Sequence, residues 1–454
     1  MLLRYETAVW AGPQALQGAA VPRSLVHNPL LTRGSLYLTA RYGLGILINL
    51  GNMLVMTWWI GPRPYGIFVM AIGITTLFSS VSRCGVDSYL IRCDETPDRK
   101  QYDVAATVAL GISAAVCLIG VFTLPLLKAW YSEPGFVLPY LVLLACVPLT
   151  ALVGIPTAKL ERDLKFEDVA RIELGGQVLA FLSAAVLAYR GCGVWAPVVG
   201  IFVWQAFAFG AACHASGFFP HLKFDRGDAR RMLAVGFGIS ASARIWQLRT
   251  LVNPLIVVRF AGAEGVAYVA LALRAAESLA FVRTAAARFG FAALSRLQHV
   301  PSLLCATLQR ALVLQVVTLG PLLCAFAYCG PWLIPHCLGQ RWTAAMPVYP
   351  LVAIGVLLSS IVNLQAAALL ALGFQWTVLW AYGVHVILLA MAAWLLVPHI
   401  GIIGYGLAEV LACSGYLVIP IGLDRVLKLS YSTLFGAGFV FLLALLVQTM
   451  RLCM

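Results

Sequence analysis

Arg83, Arg244, Arg249, Arg274 and Arg283 stand inside long apolar stretches of this chain. A guanidinium in hydrocarbon costs about 2.5–3.5 kcal/mol or more unless it faces a watery cavity or a partner, so each is a functional candidate by default. Arg244 lies roughly 18 Å and Arg249 roughly 14 Å from the nearer end of their span at ~1.5 Å per residue. Such depth makes snorkelling to the surface hard for these two and for Arg274. Arg41 and Arg288 lie close enough to a surface to snorkel. Guanidinium forks bind phosphate oxygens through charge-assisted, bidentate hydrogen bonds. Arginines lining one cavity would make it cationic and suit a phosphate or pyrophosphate headgroup.

Two carboxylates accompany them. Asp87 follows Arg83 by four residues and Glu277 follows Arg274 by three, spacings that place each pair on one helical face. Asp87 and Glu277 are therefore the candidates for coupling to protons or sodium. Arg41, Gly45, Asn49 and Asn52 fall within an arc of roughly 80° on the first span, and that polar stripe should face something wet. The seventh span carries Ser240, Arg244 and Gln247 on one side and Ser242, Arg249 and Asn253 on another, so it should border a cavity. His385 and Glu409, in later spans, read equally as packing or as proton-linked groups.

The elements that hold these residues are membrane helices. Hydrophobic residues make up 61% of the 454 and charged residues 11%, with a mean hydropathy of +0.91, far outside soluble usage. A spanning helix needs about 20 apolar residues. Thirteen stretches qualify, from Leu36–Ile60 to Tyr431–Met450, with twelve to fourteen as the range. Gly, Ala and Pro in the spans, and the lack of alternating strand patterns, argue against a membrane barrel. The expected organisation is an all-α polytopic protein with two pseudo-symmetric six-helix lobes around a central cavity. It comprises a cytoplasmic tail (1–35), a first lobe (36–215), a basic cytoplasmic linker (216–231), a second lobe (232–423) and an additional C-terminal helix (424–454). The tail lacks the apolar core of a signal peptide.

Lys and Arg alternate in abundance between successive connections. One side gathers clusters such as Arg92, Arg99, Lys100 and Lys223, Arg226, Arg230, Arg231, whereas the other holds only Arg63, Lys128, Arg190, Arg259, Arg341 and Arg451. This asymmetry predicts a cytoplasmic N-terminus and, with thirteen spans, an external C-terminus in a cytoplasmic (inner) membrane. The net charge of +13 then faces anionic lipid headgroups and implies no nucleic-acid partner. The twelve cysteines form no C-x-x-C pair, and no metal site or organic cofactor is expected. No phosphate loop, H-E-x-x-H or G-x-S-x-G motif occurs, and the connections on the outer side are short, so the chain is not expected to be an enzyme. The carboxylates Glu161, Asp163, Glu167 and Asp168, interleaved with Arg162 and Lys165, read as a solvated loop.

An offset of 201 residues superposes Asn52 on Asn253, Leu54 on Leu255, Gly61 on Gly262 and Ala71 on Ala272. In both copies the matches fall in a span, a Gly-containing outer turn and the start of the next span. Six spans separate the copies, so the halves are expected to be parallel repeats that rock against each other.

Five stretches carry a resemblance to a known family. Arg33–Leu36 leading into Ile60-Gly-Pro-Arg-Pro-Tyr-Gly66, Ile155–Phe166 with its Arg-Asp-Leu-x-Phe loop, Gly193-Val-Trp-Ala196 with Leu222–Arg226, Phe291–Gln298, and Leu338-Gly-Gln-Arg-Trp342 stand in an order and spacing that resemble the Wzx-type polysaccharide (O-antigen) flippases. These belong to the multidrug/oligosaccharidyl-lipid/polysaccharide exporter superfamily. The resemblance implies two six-helix lobes and alternating-access transfer of an undecaprenyl-pyrophosphate-linked oligosaccharide for exopolysaccharide, capsule or O-antigen synthesis. Membrane lipids, a polysaccharide polymerase and export machinery are the partners it suggests. A single terminal helix, where such families often have two, departs from the pattern.

Two other readings stand beside it: an ion-coupled drug or small-solute exporter on the same scaffold, favoured if the cavity holds more carboxylate than arginine, and a membrane sugar polymerase or ligase, disfavoured by the short outer loops.

Overall fold

The structure is a computed structural model that describes residues 44, 45, 48, 51–93, 96–280, 301–427 and 432–453. These residues form helices and turns with no strand among them. Helix α1 (51–60) leads through Gly61 into α2 (Pro62–Arg83) and the short α3 (Val86–Arg92). Then follow α4 (Arg99–Tyr131), α5 (Val137–Arg162), α6 (Phe166–Tyr189), α7 (Trp195–Ser216), α8 (Arg226–Leu248) and α9 (Val258–Leu279). The remainder comprises α10 (Pro301–Leu338), α11 (Tyr349–Ala371), α12 (Gln375–Ile400), α13 (Ile402–Ala412), α14 (Val418–Leu427) and α15 (Ser432–Cys453).

Local chemistry sets the boundaries. Gly61 adopts φ 84°, ψ 171°, which only glycine enters without strain, and Pro62 opens α2 where its missing N–H costs nothing. Gly262 repeats that conformation with φ 67°, ψ −171°, so the two glycines aligned by the 201-residue offset share one turn geometry. The Gly262 turn reverses the chain. Asn253 donates its side-chain amide to the Val266 carbonyl at 3.2 Å, whereas thirteen residues of unbroken helix would separate them by about 20 Å. At the start of α4, Asp98 and Gln101 form a capping box, at 2.8 and 3.2 Å.

The expected seventh span is less regular than its sequence suggests. After α8 the chain tightens into a 3₁₀ turn at Arg249–Leu251 and then widens into a π-turn at Asn253–Val257, because Pro254 cannot donate to the ladder. The twelfth is likewise divided by a 3₁₀ turn at Cys413–Leu417. There a Cβ on Gly415 would lie 2.8 Å from the His385 amide nitrogen. Ten helical stretches among the described residues are long and apolar enough to cross a membrane. One of them, Arg244–Leu279, is split by the Gly262 reversal. Of the thirteen expected spans, part of the first, Leu36–Ile60, the end of the eighth, Val266–Phe289, and the start of the last, Tyr431–Met450, lie outside the described residues.

Helices α2 to α7 pack into one group and α10 to α15 into another, with α9 bridging them. Alternate connections gather at opposite ends, as expected of successive spans. At the Gly61 end, a Cβ on Gly66 would come within 1.8 Å of the Ala263 carbonyl oxygen, so only glycine lets the two repeated hairpins touch. Arg63 pairs with Glu133 at 3.0 Å, and Trp130 donates its indole N–H to the Leu255 carbonyl at 2.8 Å. The opposite, Cys84 end holds the basic connections. Arg162 donates to the carbonyls of Leu90 and Cys93 at 2.8 and 2.9 Å, Lys100 pairs with Asp225 at 2.6 Å, and buried Asp103 accepts the His221 amide at 3.0 Å. Helix α15 docks on α10, with Tyr328 donating to Ala444 and Gln448 to Ala327, both at 3.1 Å.

Candidate functional site

Helices α1, α2, α3, α5, α6 and α7 enclose a cavity of about 640 Å³, to which α9 contributes Arg274. Each wall helix supplies residues at three- and four-residue steps, the spacing of a single helical face. On α6 these are Val169, Ile172, Glu173, Gln177, Ala180 and Ala184; on α7 they are Pro197, Gly200, Ile201, Trp204, Gln205 and Ala208. Met53, Met56, Tyr65 and Phe68 line the part nearest Gly61, and Arg83, Asp87 and Glu161 the part nearest Cys84. Between them lie Asn52, Thr76, Ser79, Gln177, Trp204 and Gln205.

Of the residues singled out in the sequence, Arg83, Asp87, Asn52 and Arg274 therefore meet at one cavity. Arg83 and Arg274 are both exposed and come from the two repeated hairpins. Arg83 and Asp87 do not pair; Asp87 accepts the Ser88 amide at 2.8 Å instead. Gln247 reaches the carbonyl of Thr76, a wall residue, at 3.5 Å, and Arg244 stands within electrostatic range of Cys84. Asn253 is occupied in holding the Gly262 hairpin. Arg283 and Asn49, with Arg41 and Arg288, lie outside the described residues, as do the side chains of Ser240 and Ser242.

Arg249 sits elsewhere. Its side chain is 8% exposed, 3.4 Å from Glu277 and 3.3 Å from the equally buried Glu409, with the Trp246 ring 5.0 Å away. Irregular backbone at the end of α8 aims this guanidinium into the second group of helices. Glu277 thus pairs with Arg249 and not with Arg274, because its position on α9 faces the end of α8. His385 stacks on Tyr416 with ring centroids 4.2 Å apart and donates from Nδ1 to the Ala412 carbonyl at 2.9 Å. Trp246 and Tyr382 complete an aromatic shell around this cluster.

The lining differs from the cationic surface expected. Among the described residues it holds two arginines and three carboxylates, Asp87, Glu161 and Glu173. Glu161 belongs to the last turn of α5 and lines the cavity, whereas Glu167 and Asp168 pair with Arg171 on the surface, so only part of that acidic stretch is a solvated face. Sequence reading passed over Glu173, Gln177, Trp204 and Gln205. The signal was present: Glu173, Gln177, Ala180 and Ala184 form a stripe of polar and small residues along an otherwise apolar helix.

Comparison with known proteins places this architecture. The chain is similar to the solved structure described as "Lipid II flippase MurJ, inward closed conformation", with a TM-score of 0.71, 14% sequence identity, and 93% of this chain and 98% of that one covered. It is also similar to an inward-facing multidrug resistance MATE family transporter of the MOP superfamily (TM-score 0.58, 15% identity, 89% and 95% covered). An outward-facing MATE structure matches with a TM-score of 0.56, 14% identity, and 94% and 98% covered. At these identities the likeness shows the fold. No curated protein matches the sequence. Residues 55–347 match the family model described as "Polysaccharide biosynthesis protein", a span running from the end of α1 through the Gly61, Gly262 and Gly339 turns. With that match over more than half its length, and the fold shared with the flippase and transporter structures, the chain belongs to the polysaccharide biosynthesis protein family.

Proposed function

We propose that the protein is a flippase that moves an undecaprenyl-pyrophosphate-linked oligosaccharide across the cytoplasmic membrane by alternating access, with its N-terminus in the cytoplasm. One observation carries the reading: Arg83 and Arg274, one from each repeated hairpin, face the same cavity. Two guanidinium groups on separate, movable elements can grip a pyrophosphate in one state and release it in the other, since their spacing changes as the hairpins rock. Membership of a polysaccharide biosynthesis family supports a saccharide cargo, and with it delivery to a polymerase and export machinery.

Coupling to protons or sodium belongs to the same proposal. The Arg249 cluster sets two carboxylates against one guanidinium, and a proton or sodium ion would balance the surplus negative charge. Glu277, with its side chain 45% exposed, is the accessible member. Asp87, on the cavity wall, is the second candidate.

The test is direct. Cells lacking the protein should accumulate lipid-linked repeat units on the cytoplasmic face, whereas loss of a polymerase leaves single units exposed outside. The three carboxylates on the wall favour a second reading, ion-coupled export of a cationic solute. Proteoliposomes separate the two: a flippase translocates the lipid-linked saccharide, and an exporter instead moves a fluorescent organic cation down an imposed ion gradient.

A further inference from the structure

Asn52 and Gln177 line the cavity, and one carboxamide oxygen of each is buried beside it without a partner. Asn52 Oδ1 and Gln177 Oε1 are both shielded from solvent and accept no hydrogen bond, and both residues line the cavity with Gln205 and Trp204. A buried unsatisfied acceptor costs about 1–3 kcal/mol, a cost that turning either carboxamide toward a ligand in the cavity would remove. The surrounding packing holds them in place. Gln177 Oε1 would lie 3.1 Å from a Cβ on Gly45, and the Trp204 ring lies so close to Gly176 that a Cβ there would be 2.4 Å from Cδ1. Glycine at these positions lets the segment at residue 45 and the indole approach α6. The Trp204 indole N–H makes no hydrogen bond among the described residues.

We propose that Asn52, Gln177, Gln205 and Trp204 form a saccharide subsite, occupied by the first sugars attached to the pyrophosphate. The inference rests on the flippase reading above and adds where and by what the saccharide is recognised. The chemistry fits a sugar better than a phosphate. Three carboxamides and an indole N–H are neutral and offer donors and acceptors together, which is what hydroxyl and acetamido groups require. An indole ring adds a flat apolar surface beside a polar tip, suited to the C–H face of a pyranose. Position agrees as well: Gln177 and Trp204 stand midway along α6 and α7, beyond the charged end of the cavity at Arg83, Asp87 and Glu161. A headgroup held at the arginines would project its first sugars onto this wall.

The full-length protein in lipid nanodiscs tests this with two kinds of probe: geranylgeranyl pyrophosphate, and the same lipid pyrophosphate bearing N-acetylglucosamine, glucose or galactose. The wild type should bind at least one sugar-bearing probe about tenfold more tightly than the bare one, the size of effect that one or two well-made hydrogen bonds give. Trp204→Ala and Gln177→Ala should each erase most of that preference while binding the bare probe as the wild type does, and Trp204→Phe should retain much of it. Thermal melting establishes that the variants are folded. A bare probe that binds, with no sugar adding affinity, overturns the subsite and leaves the flippase standing. Equal weakening of all probes in folded Trp204→Ala and Gln177→Ala overturns it too. If no pyrophosphate lipid binds at all, the flippase reading fails and takes the subsite with it.

Discussion

Trp342 donates its indole N–H to the Thr57 carbonyl across 2.8 Å of protein interior, joining two sequence motifs 285 residues apart. Its neighbour Arg341 donates to the Trp58 carbonyl and lies over Gly61, while the Tyr65 and Tyr268 rings meet the Trp342 ring edge-on at 5.7 and 6.1 Å. The last carbonyls of α1, which have no partner within their own helix, are thus capped by the connection between α10 and α11. Trp342→Phe keeps the ring and removes the donor. Leaving Thr57 unsatisfied should cost about 1–3 kcal/mol. Hydrogen-exchange mass spectrometry should then show faster exchange across 51–66, with the Cys84 end unchanged.

Arg249 should behave as a structural counterion. Depth in its span alone reads Arg249 as a cavity arginine for a phosphate headgroup. Its position between Glu277 and Glu409 leads to a different expectation, because replacing it with alanine strands a buried carboxylate. Breaking such a pair costs about 3–5 kcal/mol, so Arg249→Ala should lower both the melting temperature and the amount in the membrane. The double variant Arg249→Met, Glu409→Met should recover part of that loss, since neither charge is left alone. Normal abundance of Arg249→Ala would remove the counterion role.

Arg83 and Arg274 should show the opposite pattern. Both are exposed in the cavity, so Arg83→Ala and Arg274→Ala should leave melting within about 0.5 kcal/mol of wild type yet reduce translocation by tenfold or more, about the loss of one charge-assisted contact. Lysine should restore it only in part, since an ammonium cannot reproduce the two-pronged geometry. Full transport in both alanine variants would place the headgroup elsewhere.

Acid should loosen the connection between the two groups of helices. The Lys100 ammonium, with the amides of Asp228 and Gly227, holds the Asp225 carboxyl below its ordinary value. A lowered folded-state pKa contributes stability that is complete above the unfolded value, about 3.9 for Asp, and is lost as pH falls through the folded value. Asp225→Asn should therefore melt earlier than wild type at neutral pH, and the gap should shrink once the pH drops below the ordinary carboxylate range. A gap that stays constant down to pH 2 would rule out the ionised carboxylate as its source.

What could be read in advance follows from how far each interaction reaches along the chain. The Gly61 and Gly262 turns were legible because an unusual backbone conformation needs glycine, and repetition at a fixed offset exposes the pair. Arg83, Asp87, Asn52 and Arg274 were found on the cavity wall because a polar group in an apolar helix has few other places to go. The partners of Arg249 were not readable. Glu409 is remote in sequence, and the turns that aim Arg249 at it arise where Pro254 interrupts the helix, so an ideal 3.6-residue period points the side chain wrongly. Gln177 and Trp204 were readable in principle, but the hydropathy of α6 and α7 conceals a stripe that only a face-by-face projection reveals. Three of the quoted family motifs prove to be joints, with Arg162 capping α3, Lys223 reaching Asp103 at 3.4 Å, and Arg341 and Trp342 capping α1, whereas Arg33–Leu36 and Phe291–Gln298 lie outside the described residues.

The cavity wall has a mechanical corollary. Apart from Arg274, every described residue lining it is Ile48 or belongs to α1, α2, α3, α5, α6 or α7, so on the proposed reading a passenger seated there would be held by the first half of the molecule. The second half is braced by α15 and holds its own charges inward at Arg249, Glu277 and Glu409. On the proposed flippase reading, the Arg274 guanidinium is then the second half's one hold on that passenger among the described residues.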